Sequence, residues 1–189
     1  MREKENQHVE TREDSRNEKD FIQVVIDTPK SSRNKLKFDP ESKSCALSKI
    51  LPEGMVFPYD FGFVPSTNGQ DGDPVDVLVL IEEPTFPGCR VECRLIGVIE
   101  AEQSKEKEKV EPVRNDRLIG VARASLLYAE MTDIAQVPQP VLGDIEGFFV
   151  NYDRLRGVDF KVLSRSGPDR ANEILASARR SPDRGAQRE

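Results

Sequence analysis

Apolar positions alternate in short runs through most of this chain and take up helical spacing only near its end. Short, often alternating runs, separated by Gly, Pro, Asn and Ser turns, read as strands. They fall at residues 21–26, 35–39, 46–50, 75–81, 91–99, 118–122 and 160–164. In the fifth run Val91, Cys93, Leu95, Gly97 and Ile99 share one parity, so they are expected on one face, with Cys93 a buried structural thiol. From about residue 140 to 152 the period changes. Val141, Ile145, Phe148, Phe149 and Tyr152 line one side of a helix. A second helix is predicted from Pro168, a residue suited to a first turn, with Ile174 and Leu175 as its apolar contacts. The chemistry-bearing residues therefore sit on strand ends and turns, ahead of a helical end.

Composition trims this picture at both ends. The first twenty residues carry five Lys or Arg and seven Asp or Glu with almost nothing apolar. Such a stretch cannot offset its own ordering cost, so residues 1–20 are expected to be a disordered tail. Residues 181–189 read as a second polar tail, leaving one domain over 21–180. No signal peptide and no membrane-spanning run is visible. Net charge is −6, with basic residues interspersed among acids, which argues against nucleic acid as a partner. The run from Lys105 to Lys109 alternates with Glu106 and Glu108 and reads as a solvated hairpin. Cys45, Cys89 and Cys93 lack paired-thiolate spacing, and the lone His8 lies in the tail, so zinc is not expected. An odd thiol count without a secretion signal suits the cytoplasm.

The sharpest chemical feature is Asp71-Gly72-Asp73-Pro74-Val75-Asp76, three carboxylates in six residues just before an apolar strand. Two like charges about 4 Å apart cost roughly 4 kcal/mol at an effective dielectric near 20. If they converge, such acids must be protonated, splayed into water or bridged by a cation. All-oxygen donors favour magnesium, calcium or manganese. A merely solvated acidic turn is the competing reading. An EF-hand loop is not, because its sixth position needs glycine and holds Asp76.

With its flanks, this string resembles the signature of soluble family I inorganic pyrophosphatases. Phe57-Pro58-Tyr59-Asp60-Phe61-Gly62-Phe63 upstream is similar to the family's aromatic segment. Pro87-Gly88, Arg94-Leu95-Ile96-Gly97-Val98 and Phe148-Phe149-Val150-Asn151-Tyr152 continue the likeness, over roughly residues 21 to 175. The resemblance implies an α+β, mainly β fold: an OB-like closed five-stranded barrel with C-terminal helices packed outside. It implies magnesium-dependent hydrolysis of inorganic pyrophosphate by a metal-activated water, without a covalent intermediate. Carried over residue by residue, Asp71, Asp76 and Asp27 would hold metal, and Asp73 would take the proton of the attacking water. Lys35, Lys49, Lys109 and Tyr152 would bind phosphate. A homo-oligomer is expected on the same ground.

The chain departs from the family pattern at several of these places. Lys37 stands for Glu, Lys49 for Arg, and Phe57 and Phe61 for two tyrosines. Gln103 sits at one metal-binding Asp, Lys107 (or, with a shifted gap, Glu106) at another, and Asp153 replaces a phosphate-attracting Lys. Together these suggest that Lys37 and Lys107 set fixed ammonium groups where the family holds mobile metals. The alternative function is then a catalytically impaired relative that binds a phosphate-bearing anion in a regulatory role.

Overall fold

The computed structural model describes residues 20–39, 41–105 and 111–180. Among these residues nine strands and two α-helices follow in the order β1 (Ile22–Thr28), β2 (Asn34–Asp39), β3 (Ser44–Ile50), β4 (Asp60–Phe63), β5 (Asp76–Leu80), β6 (Arg90–Lys105), β7 (Val113–Arg114), β8 (Arg117–Ala122), α1 (Gln139–Arg154), β9 (Val158–Ser166) and α2 (Pro168–Arg180). Strands β1, β4, β5, β8 and β6 run side by side around a ring, and β1 pairs back onto β6 to close it. This is the OB-like five-stranded barrel. Every seam is antiparallel except β5 against β8, whose parallel register pairs Val77 with Leu118 and Leu80 with Val121. The far half of β6 overruns the ring and carries β9 and β7, while β2 and β3 form a separate hairpin.

Alternation along the strands feeds two apolar cores rather than one. Val77 and Val79 join Val24, Ile26 and Leu118 in a core covered by Ala171, Leu175 and Ala178 of α2. Leu78 and Leu80 join Ile119 and Val121 in the other, covered by Leu142, Ile145, Phe148 and Phe149 of α1. Each fully buried aliphatic or aromatic side chain contributes about 1.5–3 kcal/mol of transfer free energy, so both sets are needed to hold the ring. No helix among the described residues is long and apolar enough to cross a membrane.

Strand β6 corrects one expectation. Val91, Cys93 and Leu95 do share a core, but the register shifts between Leu95 and Gly97, and Ile99 enters the opposite one. An irregularity of this kind reverses the faces of a strand. Gly97 permits it: a side chain there would begin 2.6 Å from Ile134 Cβ and from the Ser166 carbonyl oxygen.

Strand β4 was not predicted, because Asp60 and Gly62 look like turn residues. Asp60 is fully buried, yet it accepts hydrogen bonds from the Lys30 amide at 2.8 Å, the Thr85 amide at 3.0 Å and the Thr85 hydroxyl at 2.6 Å. Gly62 lets β1 press close, since a Cβ would sit 2.2 Å from the Val25 carbonyl oxygen. Strands β6 and β7 pair antiparallel, with Glu102 opposite Arg114 and Gln103 opposite Val113. The charged run beyond Lys105, read as a solvated hairpin, lies outside the described residues, as do residues 1–19 and 181–189 of the two tails.

Candidate active site

The parallel β5–β8 seam dictates what stands at one rim of the barrel. Asp76 and Arg117 each open their strand one residue before the paired Val77 and Leu118, so the two side chains emerge as neighbours. Arg117 Nη1 lies 2.6 Å from Asp76 Oδ2, with the arginine side chain only 8% exposed. Its guanidinium carbon sits 6.0, 5.1 and 5.7 Å from the ring centres of Phe61, Phe149 and Phe160. Arg117 also donates to Asn115 Oδ1, and Asn115 Nδ2 donates to Gln103 Oε1 at 2.6 Å. Burial pushes the Asp76 carboxyl up, while Arg117 and Lys35 pull it down.

Lys35, from β2, completes the cationic side. Its Nζ lies 3.9 Å from the centre of the Phe61 ring and 5.4 Å from that of Phe57. Burial lowers its pKa to about 8, against the opposing pull of Asp76 and Asp27. The two phenylalanines, whose missing hydroxyls the sequence flagged, thus provide a π face for this ammonium. Asp27, at the end of β1, accepts from the Phe38 amide at 2.7 Å, and its carboxyl is raised by burial. Lys37 is exposed on β2 and close enough to Asp27 and Asp76 to draw both carboxyls down.

The acidic turn itself is tight. Asp71 Oδ1 accepts from the Asp73 amide at 3.2 Å, and the Gly69 amide donates to the Asp73 carbonyl at 2.8 Å. The side-chain cap of this turn is therefore Asp71, whereas Asp73 is left exposed. Gly72 holds φ at +88°, and a Cβ on Gly69 would come 3.0 Å from Asp71 Oδ1. Partial desolvation raises the Asp71 carboxyl even though the residue is exposed overall, and Asp76 adds to the effect. A cavity of about 260 Å³ opens beside the turn, bounded by Asp71, Asp76, Asn115, Arg117, Arg170 and Ile174.

A second cationic patch comes from β3 and the end of α1. Lys49 Nζ lies 5.2 Å from the Tyr152 ring centre, with Arg156 5.5 Å from the same ring. Tyr152 stacks on Phe148 at 5.7 Å, so it serves the core as well as the patch. Asp153 is only 1% exposed; Arg156 reaches its Oδ1 at 2.8 Å, while Oδ2 has no hydrogen-bond partner. Burial raises its carboxyl, against Arg117 and Arg156.

Of the residues singled out from the sequence, Asp27, Asp76 and Lys35 are coupled electrostatically to one another, and Asp71 and Asp73 to Asp76. Lys49 and Tyr152 form the adjoining patch, while Lys109, Lys107 and Glu106 lie outside the described residues. Arg117 was missed, although one signal was available. Asp76 and Arg117 precede two apolar runs of similar length, and oppositely charged residues so placed meet whenever those runs pair in parallel.

The donor set can be tested against a hard divalent ion. Magnesium is commonly held by one or two carboxylates, its own waters and substrate phosphates. Asp71 and Asp76 fit one such ion. Further positions fit poorly, since Gln103 and Asn115 offer amides already bonded to each other. Among the described residues no three Asp, Glu, His or Cys side chains come together as a cage.

Comparison with known proteins agrees with this architecture. The family model described as inorganic pyrophosphatase matches residues 24–182. The chain is similar to an inorganic pyrophosphatase of Methanosarcina acetivorans, 35% identical over 162 residues that cover 86% of this chain and 92% of the relative. A Geobacillus stearothermophilus inorganic pyrophosphatase is 32% identical over 84% of this chain and 92% of its own. Among solved structures, the Thermus thermophilus inorganic pyrophosphatase superposes with a TM-score of 0.75 at 31% identity, covering 86% of this chain and 91% of that one.

Proposed function

Because the chain belongs to the inorganic pyrophosphatase family, we propose that it hydrolyses the phosphoric anhydride of inorganic diphosphate to two phosphates. The observation that carries this reading is the rim where Asp71, Asp73 and Asp76 meet Lys35 and Arg117, beside the Lys49–Tyr152 patch. Water attacks one phosphorus in line; its O–P bond forms as the bridging P–O bond breaks, and the second phosphate leaves. Asp73, exposed at the turn, accepts the proton of the attacking water. Magnesium, held by Asp71 and Asp76, would lower the pKa of bound water and neutralise phosphate oxygens. Lys35 and Lys49 position the phosphates, with the Tyr152 hydroxyl and Lys109 as further contacts. Asp27 is tied to the Phe38 amide and acts more as a countercharge to Lys35 than as a ligand.

One domain over residues 21–180, with polar tails on either side, is supported by the extent of the family match. Three unpaired thiols favour a reducing cytoplasm, and a homo-oligomer is proposed from family membership. A second reading, anion binding without turnover, is favoured by the Gln103 and Asn115 amides, which bond to each other where further metal ions would need carboxylates. Phosphate release from diphosphate by the purified chain, titrated with magnesium, separates the two. Asp73→Asn should lower turnover about 100-fold while binding persists. A wild-type chain that binds diphosphate and releases no phosphate at any magnesium concentration would leave only the second reading.

A further inference from the structure

Four side chains in series link β6, β8 and β5 across the floor of the site. Gln103 Oε1 accepts from Asn115, Asn115 Oδ1 accepts from Arg117, and Arg117 is paired with Asp76 Oδ2. Gln103 Oε1, Asn115 Oδ1 and Asp76 Oδ2 each already have a donor on them. The line is also rigid. Arg117 is caged by three aromatic rings and its Cα is set by the parallel register of Val77 and Leu118. Asp153 holds it electrostatically as well: among nearby charges, Arg117 most strongly draws that buried carboxyl down. A further divalent ion placed among these oxygens would have to displace the guanidinium from Asp76 Oδ2 and then sit beside it, uncompensated.

We infer that Arg117 is a built-in countercharge standing where a further divalent cation would otherwise neutralise Asp76, so that the site engages a diphosphate-type anion with at most one metal ion and keeps affinity with none. The inference rests on the diphosphate reading above and goes beyond it in specifying how the anion is balanced. The anion meets Lys35, Lys37 and Lys49 at the rim; Arg117 stays below, removing the repulsion that a bare Asp76 would exert. Arginine suits this role because it cannot be deprotonated in proteins and is weakly hydrated, so ring burial costs it less than it would cost an ammonium.

The test uses the full chain and methylenediphosphonate, a diphosphate analogue whose bridge cannot be hydrolysed. Calorimetry in EDTA should show binding by the wild type, and Arg117→Met should weaken it by about tenfold or more. Arg117→Lys, which keeps the charge, should retain most of it, and thermal unfolding of each variant reports whether the fold survives. Counting bound manganese by electron paramagnetic resonance at saturating analogue should give about one ion per wild-type chain. A second ion should appear in the double variant Gln103→Asp/Asn115→Asp, which puts carboxylates into the line. No metal-free binding, or two or more ions on the wild type, overturns the inference; so does a folded Arg117→Met that binds as well as the wild type. Hydrolysis is scored separately: absent turnover with metal-free binding intact removes the diphosphatase reading alone, and turnover without metal-free binding removes only the role of Arg117.

Discussion

The four residues Arg114 to Arg117 serve two charged clusters on opposite faces of one short stretch, and the clusters are built on opposite terms. On one face Glu100 accepts from Arg114 at 2.6 Å, Ser166 at 2.8 Å, and Ser164 and Arg170 at 3.3 Å. Burial alone would raise its pKa, but those donors outweigh it and hold the group at about 2. On the other face Asp76, Asp27 and Asp153 are all raised by burial, Lys35 is lowered to about 8, and Asp153 Oδ2 lacks a partner. The first cluster spends its hydrogen-bonding capacity on the fold. The second keeps costly charges in place without satisfying them, the pattern expected where a ligand completes the set.

Removing Arg117 should break that contrast most severely. Arg117→Met leaves Asp76 without its counter-ion and should cost about 3 kcal/mol in denaturant unfolding. Adding Asp76→Leu should recover most of the loss; a single variant as stable as the wild type would mean the pair does not hold the rim. Glu100→Gln should cost about 2 kcal/mol at neutral pH and leave phosphate release unchanged. Glu100 has a folded pKa below its ordinary 4.5, so its contribution is present above that value and disappears as pH falls towards about 2. The gap between variant and wild type should close over that interval.

Lys35→Met is expected to run the other way. At pH 7 the lysine is charged in both states, and the folded state bears the burial penalty, so the variant should gain about 1 kcal/mol. With the folded pKa near 8 against an ordinary 10.5, wild-type stability rises with pH across that window, and the variant's advantage should fade there. Anion affinity should fall at the same time, a trade that a purely structural lysine would not show. The smallest effect is expected from Tyr152→Phe. It should leave stability within about 0.5 kcal/mol and reduce analogue affinity a few-fold, since the ring stays stacked on Phe148 and only the hydroxyl goes.

Much of the fold was legible because apolar spacing is a local property. β5 and the start of α2 at Pro168 fell where periodicity put them. The errors came from residues whose conformation is fixed by distant partners. Asp60 is a strand residue only because Lys30 and Thr85 satisfy it, and Ile99 changes core only because Gly97 accommodates Ile134 and Ser166. The acidic triplet was visible in one stretch of sequence, whereas its counter-ion lies forty-one positions from Asp76, at Arg117. Strand pairing alone makes them neighbours. Of the ammonium groups expected from sequence, Lys37 does draw the Asp27 and Asp76 carboxyls down, and Lys107 lies outside the described residues; Arg117 is a neighbour of Asp76 only through the β5–β8 register.

The change of parity at Gly97 makes β6 a shared wall, with Val91, Cys93, Leu95 and Val98 in the core under α2 and Ile96, Ile99 and Ala101 in the core under α1. Neither core can then open while the other stays closed without breaking this strand's ladder. Slow amide exchange along the barrel portion of β6 should accordingly fall into a single protection class, and the barrel should come apart as one cooperative unit.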